Sequence, residues 1–302
     1  MAISIPSAYI ETFEANVRHL AQQRPSRLRG AVTEVMRQSQ THNWDRLAAS
    51  ASRQKTSART VSPAGGNGSG AVGATDGLTW DRRNTVIRVF DTGEVIESED
   101  ITQMLIDPKS AVTENLAMNM RRTVDDIIID AVHKDAPDGG AGAAFPAGQT
   151  VGDGTTAITL DFILETAEIF AANDIDPDEG KVMIIGPKQQ RELFQLVEVT
   201  SGDFQDRRAL AQGYMPNWMG FDWIVSTRLN APDTTPAWQL TGEIYNLAMT
   251  KKAIGLHVAK DISAKVGERP DMSFAWQLYC ELHMDAVRVE DEHVVRIHTA
   301  NA

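Results

Sequence analysis

The sequence predicts a mixed fold, α/β or α+β, on three observations. A helix-period pattern runs from 108 to 134, a strand-period pattern runs from 274 to 286, and shorter helix and strand signals alternate between them. Each long pattern corresponds to about 40 Å, at ~1.5 Å per helical residue and ~3.3 Å per strand residue. Both exceed the usual globular lengths, so two elements of matched length can pack side by side as an elongated slab.

From the N-terminus, residues 8–23 place Ile10, Phe13, Val17 and Leu20 on one helical face. Arg24-Pro25 ends that run, because proline cannot continue the hydrogen-bond ladder. An apolar stripe isolated near the chain end has to dock, either within its own subunit or across a subunit boundary. Residues 48–79 hold few large apolar groups, and SPAGGNGSGAVGATDG cannot bury a core. Strong β formers then run from 82 to 96 around Asp91-Thr92-Gly93, which resembles a turn. A Gly-rich tip between extended segments reads as a projecting loop.

The long helix has Asp107 at its N-cap and Pro108 at its first position. Val112, Leu116, Met120, Val124, Ile127, Ile128 and Ala131 form its apolar row. His133 and Lys134 fall in its last turn, where positive charge suits the helix dipole. A second Gly- and Pro-rich loop covers 137–156. The next helix, LDFILETAEIFAAND, sets Leu160, Ile163, Leu164, Ala167, Phe170 and Ala171 inward, and KVMII at 181–185 reads as a short buried strand. Pro187 opens a third helix with Leu193 and Phe194 inward, and 220–226 and 247–258 are strand-like. In the terminal strand Phe274, Trp276, Leu278, Cys280, Leu282, Met284 and Ala286 alternate with polar Gln277, Glu281, His283 and Asp285.

Composition narrows the function. The 302 residues allow roughly two domains, and 42% hydrophobic with 23% charged residues is ordinary for a globular protein. A net charge of -12 repels phosphate backbones, which argues against a generic DNA-binding module. Residues 18–59 nevertheless carry nine Lys or Arg against Glu34 and Asp45, so a basic arm is expected to meet acidic surface or nucleic acid. One cysteine, Cys280, permits no intrachain disulfide and no cysteine-based metal site, and fits synthesis in a reducing host cytoplasm. The N-terminus does not read as a signal peptide, and no stretch reaches the ~20 apolar residues of a membrane span.

Four segments resemble major capsid proteins of tailed bacteriophages with the Hong Kong 97-type fold. They are YIETFEANVRHLAQQ with THNWDRL, then TWDRRNTVIRVFDTGEVIESEDITQMLIDPKSAVTENLAMNMRRTVDDIIIDAV, then GYMPNWMGFDWIVSTRL at 213–229, and then 253–297 with KKAIGL and VRVEDEHVVRI. No one motif is diagnostic, but their order is. The resemblance implies an α+β chain with an N-terminal arm at 1–47, an extended loop at 48–98, and a peripheral domain with a spine helix at 99–157. It further implies an axial domain at 158–262, with a long strand and a return to the axial domain at 263–302. The implied function is self-assembly of hexamers and pentamers into an icosahedral head shell in the virion. The implied partners are further copies of the chain, a separate scaffolding protein, a portal protein and non-specifically contacted double-stranded DNA, with no membrane. Contacts between subunits are expected at Phe13, Val17, Arg59, Trp80, Arg82 and Arg83. No catalytic residue, cofactor or metal is expected. Lys55 lies in the loop with no aligned asparagine, so a lysine–asparagine cross-link between subunits is not expected either.

Two other functions compete. An encapsulin-like nanocompartment would use the same shell fold, but the landmarks at 80–132 favour the virus. A metal-dependent enzyme would need His283, Asp285, His293 and His298 to converge. His283 and Asp285 share a strand face, but it is the polar one, and HxxxH or HxH spacing is absent. Cys280 and His283 point to opposite faces of their strand. GGNGSG at 65–70 lacks the Lys-Ser/Thr ending of a phosphate loop. Asp125 and Asp126 diverge by about 100° on their helix, so they cannot line one site unaided.

Overall fold

The computed structural model describes residues 23, 25–47, 80–97, 108–137, 142–196, 217–230 and 242–301. The stripe of Ile10, Phe13, Val17 and Leu20, the Gly-rich run with Lys55 and Arg59, and Asp107 lie outside the described residues. The chain is α+β. Its elements are β1 (Thr33–Met36), β2 (Thr41–Leu47), β3 (Trp80–Val86), β4 (Arg88–Ile96), α1 (Pro108–His133), β5 (Thr150–Val151), α2 (Leu160–Ala172), β6 (Lys181–Ile185), α3 (Pro187–Gln195), β7 (Asn217–Trp218), β8 (Phe221–Val225), β9 (Glu243–Thr250), β10 (Ile254–Arg269), β11 (Ala275–Arg288) and β12 (Val294–Ala300). They divide into two compact units.

The first unit takes Met1–Pro25, Val89–Arg122 and Ile262–Leu282. Its strands lie in the order β10-β11-β4. Leu278, Cys280 and Leu282 are buried, and so are Met118 and Met120 of α1. β11 starts one residue later than the sequence pattern, and its regular alternation begins only at Leu278. Phe274 is exposed with a left-handed φ of 60°, because it and Ser273 close the β10–β11 connection rather than belong to the strand. The turn expected at Asp91-Thr92-Gly93 is also absent. β4 runs straight through those residues, and the break between strands falls at Ile87. Gly93 has a different setting: a Cβ would lie 3.0 Å from the Leu278 carbonyl oxygen, so a side chain there would press β11 away by a few tenths of an ångström.

The second unit takes Ser26–Arg88, Thr123–Asp261 and His283–Ala302. Its centre is a six-stranded sheet in the order β5-β12-β9-β6-β8-β7. One core cluster gathers Val151, Ile163, Phe170, Met183, Ile185, Leu193, Phe221, Trp223, Val295 and Ile297. In α2 the buried residues are Ile163, Thr166 and Phe170, and Thr159 caps the helix by accepting from the Phe162 N–H. Leu164, expected inward, is exposed, because the apolar row of that helix is wider than the face it buries. The strand-like run 247–258 is two strands: β9 ends at Thr250, and β10 starts at Ile254 after a tight turn in which the Ala253 N–H donates to the Thr250 carbonyl.

Within this unit the last turns of α1 are buried well beyond one stripe. Val124, Ile127, Ile128, Ile129, Ala131 and Val132 are all buried. Asp125 is also fully buried and accepts from the Ser26 hydroxyl at 2.5 Å and from the Arg27 and Leu28 backbone N–H groups at 3.1 and 3.2 Å. Asp126, about 100° around the helix, takes a bidentate contact from Arg228 at 2.7 and 2.6 Å. The two aspartates therefore face separate partners, as their spacing requires.

The C-terminus of α1 is capped by an arginine that the sequence pattern does not reveal. Arg288 is completely buried. Its guanidinium donates to the carbonyls of Val132 at 2.8 Å, Lys134 at 3.0 Å and Ala143 at 2.8 Å, and its Nε meets Asp291. It therefore supplies the positive charge that a helix C-terminus favours. His133, expected to do so, does not: it is buried against Tyr245, 5.2 Å away between ring centroids. Burial, reinforced by Arg296 and Arg288, holds it neutral with a pKa of about 3. Lys134 pairs with Asp130 at 2.6 Å.

Two outcomes are expected. Arg288→Leu leaves Asp291 with Arg83 alone and removes the donor from the carbonyls of Val132, Lys134 and Ala143, and should lower unfolding free energy by about 3–5 kcal/mol, read from urea denaturation. His133 stays neutral in the folded chain while the unfolded chain binds a proton below about pH 6.5. Its contribution is therefore complete above pH 6.5 and is lost as pH falls towards 3. Between pH 7.5 and 5 this should remove about 2 kcal/mol of stability in the parent and much less in His133→Phe, by the same assay.

Candidate functional site

A two-stranded antiparallel ribbon, β2 against β3, brackets residues 48–79, with register running from Thr41 opposite Val86 to Leu47 opposite Trp80. Residues opposite one another in such a pair share a face. His42, Trp44, Arg46, Asp81, Arg83 and Thr85 therefore form one face, and Thr41, Asn43, Asp45, Leu47, Trp80, Arg82, Asn84 and Val86 the other.

The first face is held by the chain's own second unit. Trp44 covers Gly255 so closely that a Cβ there would lie 2.5 Å from the indole, and the Trp44 Nε1–H donates to Thr85 at 2.9 Å. His42 packs edge-on against Trp44 at 4.8 Å and lies 5.3 Å from His257 of β10 between ring centroids. Arg46 donates to the Val289 carbonyl at 2.8 Å and pairs with Asp81 at 3.3 Å. Arg83 pairs with Asp291 at 3.0 Å and donates to the Ala136 carbonyl at 3.2 Å. The Asn84 backbone N–H donates to the Pro137 carbonyl at 2.9 Å.

The second face is open. Trp80 is 73% exposed, Leu47 51% and Val86 48%, and Asp45 and Arg82 form an exposed pair at 2.6 Å. Beside Val86 lies a recess of about 80 Å³ bordered by Ala131, Pro137, Ala286 and Val287. Of the expected contact residues, Trp80 and Arg82 fall on this open face. Arg83 does not: its side chain is only 4% exposed and is occupied by Asp291 and Ala136 of its own chain. Its expected role at a subunit boundary is corrected accordingly. Leu47 and Val86 share this face: the alternation in THNWDRL, once paired with the strand that begins at Trp80, assigns both to the face of Trp80.

The other residues singled out by sequence have partners inside the chain. Arg29 bridges Glu34 at 2.7 Å and Asp261 at 2.9 Å, so this part of the basic stretch meets acids of its own subunit. Those two carboxylates raise the Arg29 pKa. His298 meets Glu243 at 2.6 Å and stacks on Tyr245 at 4.4 Å. His293 meets Thr250 at 2.7 Å and Glu290 at 3.0 Å, and its hydrogen bond holds the Glu290 carboxyl below its ordinary range. Asp285 pairs with Arg88 at 2.7 Å, so it is engaged rather than simply solvated. Cys280 is buried, which pushes its thiol pKa up, away from the nucleophilic thiolate. Among the described residues no three His, Cys, Asp or Glu side chains are grouped to hold a metal ion, and no described helix is long and apolar enough to cross a membrane.

The two adjacent arginines should therefore behave differently. Arg82→Glu loses an exposed pair worth ~0–1 kcal/mol and should leave the melting temperature nearly unchanged. Arg83→Glu buries a carboxylate against Asp291 and should cost about 3–5 kcal/mol, visible as a large drop in thermal midpoint by circular dichroism.

The chain was compared with known proteins. A family model described as phage capsid protein matches residues 5–301. No curated protein matches the sequence. A solved structure from Mycobacterium phage Che8 superposes with a TM-score of 0.73 at 14% identity, covering 97% of this chain and 98% of that one. The capsid of cyanophage P-SCSP1u gives 0.71 at 15% identity, covering 98% and 94%. The capsid asymmetric unit of cyanophage Pam1 gives 0.71 at 13% identity, covering 100% and 99%. At these identities the structural likeness establishes the fold, of Hong Kong 97 type, and with a family model spanning nearly its whole length the chain belongs to the phage capsid protein family as a major capsid protein.

Proposed function

We propose that this chain works by tiling with copies of itself into the closed head shell, and that the open face of the β2–β3 ribbon is one of the surfaces through which copies meet. The observation that carries this reading is the asymmetry of the ribbon. One face is locked to its own subunit through Trp44, Arg46 and Arg83, while the other presents Leu47, Trp80 and Val86 to solvent. A two-stranded ribbon is marginal alone, and an exposed tryptophan beside an exposed leucine is apolar surface that a partner would cover. Tryptophan is also among the residue types that most often dominate binding energy in an interface. Each contact need not be strong, because a shell repeats it at every subunit.

In the proposed layout residues 1–47 form the arm, 48–98 the extended loop, 99–157 and 263–302 the peripheral elements and 158–262 the axial domain. Phe13, Val17 and Arg59 belong with Trp80 and Arg82 among the proposed contacts. A separate scaffolding protein, a portal protein and packaged double-stranded DNA are the proposed partners, and hexamers and pentamers the proposed units. Synthesis in the host cytoplasm fits the single buried cysteine.

The decisive experiment combines sedimentation with electron microscopy of the purified chain. The parent is expected to form closed shells or shell-like aggregates. Leu47→Ser combined with Trp80→Ser should keep the parent melting temperature to within a few degrees and reduce shell yield at least about tenfold. Normal shell yield from this variant would overturn the role of the open face. A parent that stays monomeric across salt conditions, and with scaffold present, would overturn the shell reading itself.

A further inference from the structure

The seat of the ribbon contains a pair of histidines. His42, on the inward face of β2, lies 5.3 Å from His257 of β10 between ring centroids, with the rings inclined at 40°. His257 shares its face of β10 with Gly255, the residue that Trp44 covers. The two histidines thus sit beside the closest approach between ribbon and body. His257 is fully buried, with its Nε2 3.0 Å from the Arg37 carbonyl oxygen and 3.4 Å from the Ser39 hydroxyl. A carbonyl only accepts, so Nε2 carries the proton and Nδ1 is bare. That Nδ1 is buried and has no hydrogen-bond partner among the described residues.

We propose that the His42–His257 pair is a proton-sensitive latch: neutral, it seats the β2–β3 ribbon on the body, and protonated, it loosens the Thr41–Trp44 end of the ribbon. A proton on Nδ1 of His257 would create a buried N–H without an acceptor, beside a second imidazole and Arg37. The groups facing His42 are His257 of β10, Arg37 from the end of β1, and Asp45 of its own strand. Asp45 points to the opposite face of β2 and is engaged by Arg82 at 2.6 Å, so it neutralises the pair poorly. Opposite His42 on β3 stands Thr85, which carries no charge, and the nearby Arg83 is already matched by Asp291. Burial, followed by the His257 and Arg37 charges, lowers the pKa of His42, which agrees with this geometry. The contact of Arg46 with the Val289 carbonyl lies at the Leu47–Trp80 end, involves no histidine and holds that end of the ribbon. Acid therefore opens one end of the ribbon without unfolding the sheet core. The latch belongs to the single chain, whether or not that chain has assembled.

Hydrogen-exchange mass spectrometry on the full chain at pH 7.5 and 5.0, corrected for intrinsic exchange, tests this. The parent should show about sevenfold more opening of 41–47 at pH 5.0, the effect of a one-unit histidine shift over this range, with 160–172 changing far less. The double variant His42→Gln with His257→Gln keeps an uncharged donor at each position. It should retain the protection seen at pH 7.5 and lose the acid response. Equal opening of the parent at both pH values overturns the latch, and so does an acid response that persists in the double variant. Should the double variant lose protection at both pH values, exchange of the imidazole C2 hydrogen in the parent decides. His42 titrating below about 6.5 supports the latch, and titration at or above that value overturns it.

Discussion

One buried charge network organises much of the second unit. Arg288, with no exposed surface, donates to carbonyls at the end of α1 and to the Ala143 carbonyl, and shares Asp291 with Arg83 of the ribbon. Taking one such ion out of water costs several kcal/mol, so the arrangement holds only because nearly every donor finds an acceptor. Phe145 contributes a ring face 5.1 Å from the guanidinium. A helix end, the 142–149 loop, the end of β11 and the root of the ribbon are thereby fixed by the same few atoms. Apolar contacts in a sheet core tolerate small slips in position, whereas a guanidinium with four directional partners does not.

That network makes the ribbon a two-sided device. Its inner face is anchored by fixed charges, by Trp44 against Gly255 and by the two histidines, and the outer face is left exposed. The division is possible because side chains alternate strictly along a strand, so a seven-residue pair can commit one face to its own subunit and keep the other free. Two consecutive arginines illustrate it. Arg82 and Arg83 differ by one position, and one is exposed while the other is buried.

A shell subunit has to be rigid where it positions its neighbours and weakly committed where it touches them. Fold stability here comes from the cluster beneath the six-stranded sheet and from fully paired buried groups such as Asp125 and Arg288. The surfaces proposed for assembly carry exposed apolar side chains and an exposed ion pair, contacts that are individually small. This separation lets contact residues change with little effect on the fold, which agrees with the three solved structures above that share the architecture at 13–15% identity.

The sequence by itself determined the mixed architecture, the long helix with Pro108 at its start, the buried row from Leu278 to Ala286 and the short strand at 181–185. In each case a periodic apolar pattern has one physical solution. It also revealed the family, through the order of its landmark segments. Only the tertiary structure decided which polar groups are inside. Arg83, Arg288 and His133 look like surface residues by type, and their burial depends on partners far away in sequence, such as Asp291 for Arg83 and Val132 for Arg288. Glycine was equally ambiguous: Gly93 reads as a turn but serves a close strand approach, and Gly255 is explained only when Trp44 lies over it. Periodicity reports which face of an element is apolar, but the identity of what that face meets is set by long-range contacts, and so the ribbon's seat and the capping arginine had no local signal.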